Sequence, residues 1–144
     1  MRVASLAGVA RRSVFALSLA LTALCALPRP VRAQEAAPRY TAAQAEAGKE
    51  IFGRVCAVCH MPDLSGGPIA PPLTGTYFAG DWGGRTAAQL IAFATAEMPQ
   101  TAPGSLDQDS YLRVISYILS MNGVPAADTP LTVADQGIIK IPTK

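Results

Sequence analysis

The pentapeptide Cys56-Ala57-Val58-Cys59-His60 constrains this chain more than any other part of its sequence. Its Cys-x-x-Cys-His spacing is the signal for covalent attachment of a haem. Two thiols three residues apart can add to the two vinyl groups on one side of the ring. The His that follows directly is carried beneath the ring, where it can ligate the iron. The motif therefore predicts one covalent haem c, which the protein binds, orients and tunes.

Two other uses of a Cys-x-x-Cys pair fit the flanking sequence less well. A thioredoxin-like redox couple needs the pair at a strand-to-helix turn, whereas the residues before Cys56 have a helical pattern. A zinc site needs two further ligands, and His60 is the only His in the sequence. A disulfide or redox pair formed by Cys56 and Cys59 remains the alternative to the haem.

The first 33 residues have the pattern of a secretory signal peptide rather than of a folded domain. A basic segment at residues 2–12 precedes an uncharged apolar run at residues 14–27, and a small-residue cleavage site ends at Ala33. The run has 14 residues, fewer than the roughly 17–25 that span a bilayer. We expect a cleaved leader on residues 1–33 and a periplasmic location in a bacterium, with an uncleaved membrane anchor as the alternative.

Cleavage of the leader changes the charge of the chain. The full sequence has 12 basic and 10 acidic residues. The mature chain, residues 34–144, would keep seven basic and ten acidic residues, a net charge of −3. This value gives no support to a nucleic-acid partner or an anionic membrane surface, and we expect no membrane span in the mature protein. The five basic residues lost with the leader are Arg2, Arg11, Arg12, Arg29 and Arg32.

Three capping boxes of the form Ser/Thr-x-x-Glu/Gln each mark the start of a helix. The Gly-rich and Pro-rich residues 61–85, which lie between the first and second boxes, are predicted as irregular loop. Residues 124–144, after the last helix, are predicted as an extended tail. We therefore expect one all-α domain over residues 34–144, with its core at residues 40–123. The predicted helices run from about Ala42 to Val55, after Thr41 and Gln44, from about Ala87 to Ala96, after Thr86 and Gln89, and from about Leu106 to Met121, after Ser105 and Gln108.

The sixth iron position decides between electron transfer and catalysis, because an open position can bind peroxide or a gas. With the single His already used, Met is the best soft ligand available. Met98 ends a predicted helix and precedes Pro99, so its thioether can extend across a ring face. Met61 is adjacent to His60 and cannot reach the opposite face, and Met121 is expected in the core. Met98 is therefore the candidate sixth ligand, and the alternative is a core Met98 beside an open or otherwise filled site.

The order of these motifs resembles that of class I c-type cytochromes. The resemblance implies an all-α, cytochrome c-like fold wrapped around one covalent haem, with long Gly/Pro-rich loops. It also implies that the first and last helices cross at Gly48, with Phe52 and Tyr117 at the crossing, and that Leu73 packs on the haem. The matching motifs are Gly48-x-x-x-Phe52, Cys56-x-x-Cys59-His60, Pro71-x-Leu73-x-Gly75, Met98-Pro99 and an aromatic-bearing last helix.

The same resemblance implies roles for residues around the haem. The Pro71 carbonyl is expected to accept a hydrogen bond from the His60 ring nitrogen that does not bind iron, and Pro72 is the other candidate. Trp82 and Arg85 are candidates for contacts with the haem propionates. A core Trp and a surface Arg are the alternatives for these two residues.

A finer resemblance is to small cytochromes that accept electrons from periplasmic quinoprotein dehydrogenases. It implies a one-electron carrier, not an enzyme, between a dehydrogenase donor and an acceptor such as an oxidase or another cytochrome. A docked electron-transfer subunit of a dehydrogenase complex would share this chemistry. The alternative is a haem enzyme or sensor, such as a peroxidase or gas binder, with an open sixth position. The motifs that carry the finer resemblance are Glu97-Met98-Pro99-Gln100, Pro103-Gly104-Ser105-Leu106 and Asn122-Gly123 with its Pro-rich tail.

Overall fold

Helices provide the regular structure of this protein, for which a computed structural model describes residues 36–142. Within that range no strand forms, and the only β-type pairing is an isolated antiparallel bridge between Thr86 and Ile138. The all-α class is therefore confirmed. The predicted leader, residues 1–33, lies outside the described residues. No helix within residues 36–142 has the length and apolarity to cross a bilayer. The five helices are α1 (Ala42–Val55), α2 (Ala57–His60), α3 (Gly75–Trp82), α4 (Ala87–Glu97) and α5 (Gln108–Met121).

The first two capping boxes form as the sequence predicts. Thr41 accepts a hydrogen bond from the Gln44 backbone amide at 3.1 Å, and the Gln44 side chain accepts one from the Thr41 amide at 3.2 Å. Thr86 and Gln89 make the same reciprocal pair at the start of α4. Two of the four amides left unpaired at each helix start are satisfied in this way. The prediction for α1 is confirmed at both ends, and α4 continues one residue beyond its predicted end.

The predicted capping box of the last helix is wrong. The helix begins at Gln108, and Asp107 rather than Ser105 is its N-cap. The Asp107 carboxylate accepts a hydrogen bond from the Ser110 amide at 2.7 Å, and the hydrogen bonds from Ser110 lower the pKa of this carboxyl. Asp caps a helix as well as Ser does, and its charge also favours the positive end of the helix dipole. The predicted end of the helix at Met121 is confirmed, with Asn122 as its C-cap and Gly123 following at a φ of +76°.

The prediction of continuous irregular loop over residues 61–85 is also wrong, because α3 forms within it. Thr74 precedes this helix without making a side-chain cap, so the sequence carries no capping signal at this point. The helix is held instead by its apolar side: Phe78 is fully buried, and Trp82, one turn later, packs against the same core. Tertiary packing of an amphipathic face stabilises short helices that propensity alone would not.

The crossing of α1 and α5 is confirmed at the predicted residues. A Cβ on residue 48 would overlap the backbone carbonyl of Arg113 in α5. Only Gly therefore lets the two helix backbones approach this closely. One turn further along α1, the rings of Phe52 and Tyr117 pack in a tilted arrangement with centroids 5.4 Å apart. This contact fixes the angle at which the end of α1 meets α5.

Residues 124–142 form no helix, in agreement with the predicted tail, but they pack closely against the domain. Leu131 and Ile139 are fully buried. The Ala127 amide donates to the Tyr40 carbonyl at 2.7 Å, and the Ala87 amide donates to the Gly137 carbonyl at 2.9 Å. The tail therefore joins the segment before α1 to the beginning of α4.

Replacing Gly48 by Ala should destabilise the protein by about 1–3 kcal/mol, because the added methyl group overpacks the helix crossing. Gly53 in the same helix is the matched control, since a Cβ there meets nothing within 4 Å. Gly53→Ala should be neutral or stabilising by up to about 1 kcal/mol, as Ala is the better helix former. Guanidinium unfolding of the haem-loaded proteins measures both changes. Equal effects of the two substitutions would contradict the close approach at Gly48.

Candidate haem site

A cavity of about 360 Å³ lies between the helices, within the usual size range of cofactor and ligand pockets. Its walls are largely apolar and come from all four of the longer helices and from the loop around Pro71. All eight residues singled out in the sequence line this one cavity. They are Cys56, Cys59, His60, Pro71, Leu73, Trp82, Arg85 and Met98.

The short helix α2 places the attachment motif on the cavity wall. The Cys56 amide ends α1 by donating to the Phe52 carbonyl at 2.9 Å, and the His60 amide donates to the Cys56 carbonyl at 3.0 Å. One helical turn thereby brings Cys56, Cys59 and His60 to the cavity. Val58, between the two thiols, is 77% exposed and faces away from it.

Cys56 does not have the features of a thioredoxin-type redox thiol. Cys56 and Cys59 do not form a disulfide with each other. Burial, together with the neighbouring Cys59, raises the pKa of Cys56 to about 11. Catalytic thiols of the thioredoxin type have lowered pKa values and lie at a strand-to-helix turn, whereas Cys56 lies between two helices. No group of three or more His, Cys, Asp or Glu residues that could hold a metal ion occurs in residues 36–142.

The imidazole of His60 is buried and held by one hydrogen bond. Its Nδ1 lies 2.8 Å from the Pro71 carbonyl oxygen, and since a carbonyl only accepts, Nδ1 is the donor. Nε2 is left with a free lone pair, which makes it the nitrogen able to bind a metal. Of the two candidate prolines, Pro71 therefore supplies the carbonyl, and Pro72 does not.

The loop between His60 and Leu73 folds back to bring Pro71 to this position. The Gly66 amide donates to the His60 carbonyl at 3.0 Å, and the Leu73 amide donates to the Leu64 carbonyl at 2.9 Å. Gly66 has a φ of +71°, and a Cβ there would overlap the backbone at Pro71. Gly is needed at this position both for its conformation and for the close approach of the two chain segments.

Met98 lines the same cavity as His60, at the end of α4. Its amide donates to the Ala94 carbonyl at 3.0 Å and closes the helix. Neither Met61 nor Met121 lines the cavity. The expectation that Met121 belongs to the core is wrong: it is 46% exposed, because it lies in the last turn of α5 beyond the buried arc. Of the three methionines within residues 36–142, Met98 alone is placed to reach a group in this cavity.

Trp82 and Arg85 lie together at the rim of the cavity. The guanidinium carbon of Arg85 is 5.1 Å from the Trp82 ring centroid, a cation–π contact. Trp82 also packs against Phe93, whose ring centroid lies 5.2 Å from that of Trp82. Arg85 is the only Arg or Lys among the described residues that lines the cavity. Its charge suits the carboxylate of a haem propionate, since guanidinium binds carboxylates well.

Several cavity residues belong to no motif in the sequence. Tyr77, Phe78 and Asp81 lie in α3, which the sequence did not predict. Tyr111 lies on the apolar side of α5, and an apolar helix face indicates burial but not which neighbour is contacted. The spacing of Phe78 and Trp82, four residues apart, was the one available signal for a helix with a buried side.

The donor set of this cavity fits haem c. Two adjacent thiols can form the two thioether bonds, an imidazole with a fixed Nδ1 and a thioether can ligate iron, and Arg85 can meet a propionate. The remaining walls are mainly hydrophobic, as a porphyrin face requires.

A comparison with family models places the chain in a known family. The chain belongs to the family described as cytochrome c oxidase, cbb3-type, subunit III, whose model matches residues 43–118. The match covers more than half of the chain and includes both the attachment motif and Met98. The protein therefore contains a class I c-type cytochrome domain, whose function is haem-based electron transfer through a covalent haem c. Comparison with curated proteins and with solved structures gave no match.

Replacing both Cys56 and Cys59 by Ala should abolish covalent haem attachment, because no thiol of the described residues then remains to form a thioether. Val58→Ala is the matched control in the same helical turn, since its side chain is exposed and does not line the cavity. The measurement is the haem that stays with the polypeptide after denaturation, for protein produced with haem-attachment machinery. Retention of covalent haem by the double variant would contradict the assignment.

Proposed function

We propose that this protein is a periplasmic one-electron carrier in which one haem c is attached through Cys56 and Cys59 and its iron is ligated by His60 and Met98. The observation that carries the proposal is that these four side chains line a single cavity. An iron with two protein ligands has no open position for substrate, so it exchanges electrons with partner proteins. The haem supplies the one-electron change between ferric and ferrous iron.

The hydrogen bond from His60 to Pro71 gives the polypeptide a means of tuning that iron. A ligating His almost always donates its second ring N–H to an acceptor, which fixes the ring orientation and raises its basicity. The 2.8 Å contact supplies this acceptor from a backbone carbonyl, which cannot titrate or change rotamer. Met ligation opposite a His raises the reduction potential relative to His alone. Leu73 would pack against the ring.

Arg85 and Trp82 would contact the haem at the edge that carries its propionates. The stacked pair presents one cation at the rim of a largely apolar cavity, which Asp81 also lines. A propionate held there is partly neutralised, which reduces the negative charge near the iron. Less negative charge near the iron disfavours the ferric state and so raises the potential.

Electrons would leave through the edge held by the two thioethers, because attachment keeps that edge near the surface. Two apolar side chains are exposed near it: Val58, between the thiols, at 77%, and Ile69, which lines the cavity, at 74%. A small apolar surface of this kind suits short-lived electron-transfer encounters, which bury less than about 1,200 Å² in total.

The leader predicted from sequence for residues 1–33 and the finer sequence resemblance support a periplasmic carrier between a dehydrogenase and an acceptor such as an oxidase or another cytochrome. A docked subunit of a dehydrogenase complex uses the same residues in the same roles. The alternative of a haem enzyme or sensor needs an open sixth position and usually a distal polar residue. The sequence has a single His and therefore no distal His, and Met98 lines the cavity as a candidate for the sixth position.

Replacing Met98 by Ala should abolish the weak far-red charge-transfer band of ferric haem bound to sulfur. Met121→Ala is the matched control, because Met121 is exposed and lies away from the cavity. The spectra of the two ferric proteins provide the measurement, and the control should keep the band. Survival of the band in Met98→Ala would assign the sulfur ligand to another residue and would contradict the proposed site.

A further inference from the structure

Met98 is held at its backbone by a residue that no sequence motif indicated. The hydroxyl of Tyr111 donates to the Met98 carbonyl oxygen at 2.5 Å. The amide of Met98, on its other side, donates to the Ala94 carbonyl at 3.0 Å. Met98 is therefore held between the last turn of α4 and the first turns of α5, and both Tyr111 and Met98 line the cavity.

Tyr111 is itself a rigid support. Its side chain is 2% exposed, and its amide donates to the Asp107 carbonyl at 3.2 Å, in the turn that the Asp107 carboxylate caps. A buried hydroxyl without a partner costs free energy, so this hydrogen bond is favoured in the folded state. The segment between α4 and α5 contributes only one further contact to the same carbonyl, from the Gly104 amide at 3.4 Å.

We propose that Tyr111 is the positioning residue for the Met98 ligand: its hydroxyl fixes the backbone from which the thioether reaches the iron. This inference rests on the proposed His60/Met98 ligation and extends it. Without the hydroxyl, the end of α4 gains freedom, and states in which Met98 has left the iron become more populated. The fold persists, because the tyrosine ring and its packing are unchanged.

The size of the effect follows from the strength of the hydrogen bond. Loss of one buried hydrogen bond to a carbonyl changes an equilibrium by about 3- to 10-fold. An external ligand such as imidazole binds only when Met98 has left the iron. Its apparent affinity therefore increases in proportion to the population of that state.

The experiment compares Tyr111→Phe with Tyr40→Phe in the ferric, haem-loaded protein. Tyr40 is also 2% exposed, and its hydroxyl also donates to a backbone carbonyl, that of Val124, at 2.5 Å. Tyr40 does not line the cavity. The two substitutions thus remove the same chemical group from equally buried sites. Both should lower the denaturation midpoint by comparable amounts.

The distinguishing measurement is the imidazole titration. Tyr111→Phe should bind imidazole about 3- to 10-fold more tightly than the unsubstituted protein, and should lose the far-red sulfur band at a lower temperature. Tyr40→Phe should match the unsubstituted protein in both. Equal imidazole affinities for the two variants would show that Tyr111 is only a structural residue and would overturn the inference.

Three other variants distinguish failure of the proposed ligation from failure of the proposed role of Tyr111. If Met98→Ala binds imidazole no more tightly than the unsubstituted protein, the ligation itself is wrong, whatever Tyr111 does. If Tyr111→Phe does not load haem, Asp107→Ala tests the same support from an exposed position by loosening the turn that carries Tyr111. It should tighten imidazole binding, whereas Thr41→Ala, which removes the cap of α1, should not. Equal titrations for this pair would likewise overturn the inference.

Discussion

The crossing of α1 and α5 at Gly48 is the contact on which the rest of this structure depends. Because no side chain separates Gly48 from the Arg113 backbone, the two helices approach closely and Phe52 packs on Tyr117. The end of α1, which leads directly into the attachment motif, is thereby placed against α5. The first turn of α5 holds the Met98 backbone through Tyr111. One backbone contact thus fixes the positions of the thiols and of the proposed sixth ligand relative to each other.

Local signals in the sequence predicted those elements whose ends are determined locally. The two Thr/Gln capping boxes predicted α1 and α4 because each box satisfies its own helix start. The last box was wrong since Asp107, two residues later, offers a stronger acceptor at a helix start. Helix α3 was missed because it has no side-chain cap and depends on the burial of Phe78, which is a property of the assembled core.

The candidate site likewise contains residues that the sequence indicates and residues that it does not. The attachment motif, Met98 and the residues carried over from the resemblance could be singled out because each is a distinctive residue at a distinctive spacing. All eight line the cavity. Tyr111 could not be singled out, because its hydrogen-bond partner is a backbone carbonyl and every residue has one. That carbonyl, of Met98, also lies thirteen positions away in the sequence. The exposure of Met121 could not be predicted from its place at the end of a predicted helix either. Sequence thus indicates the groups that bind a cofactor, and tertiary contacts show what holds those groups in place.

The proposed electron carrier requires that His60 and Met98 both ligate the iron of this c-type cytochrome domain. Exposure of the reduced, unsubstituted protein to carbon monoxide tests this requirement most directly, because the gas binds ferrous haem rapidly wherever an axial position is open. Our account predicts a visible spectrum that carbon monoxide leaves unchanged at neutral pH. A rapid and saturable spectral shift would contradict it, and would indicate a gas-binding or catalytic haem in place of an electron carrier.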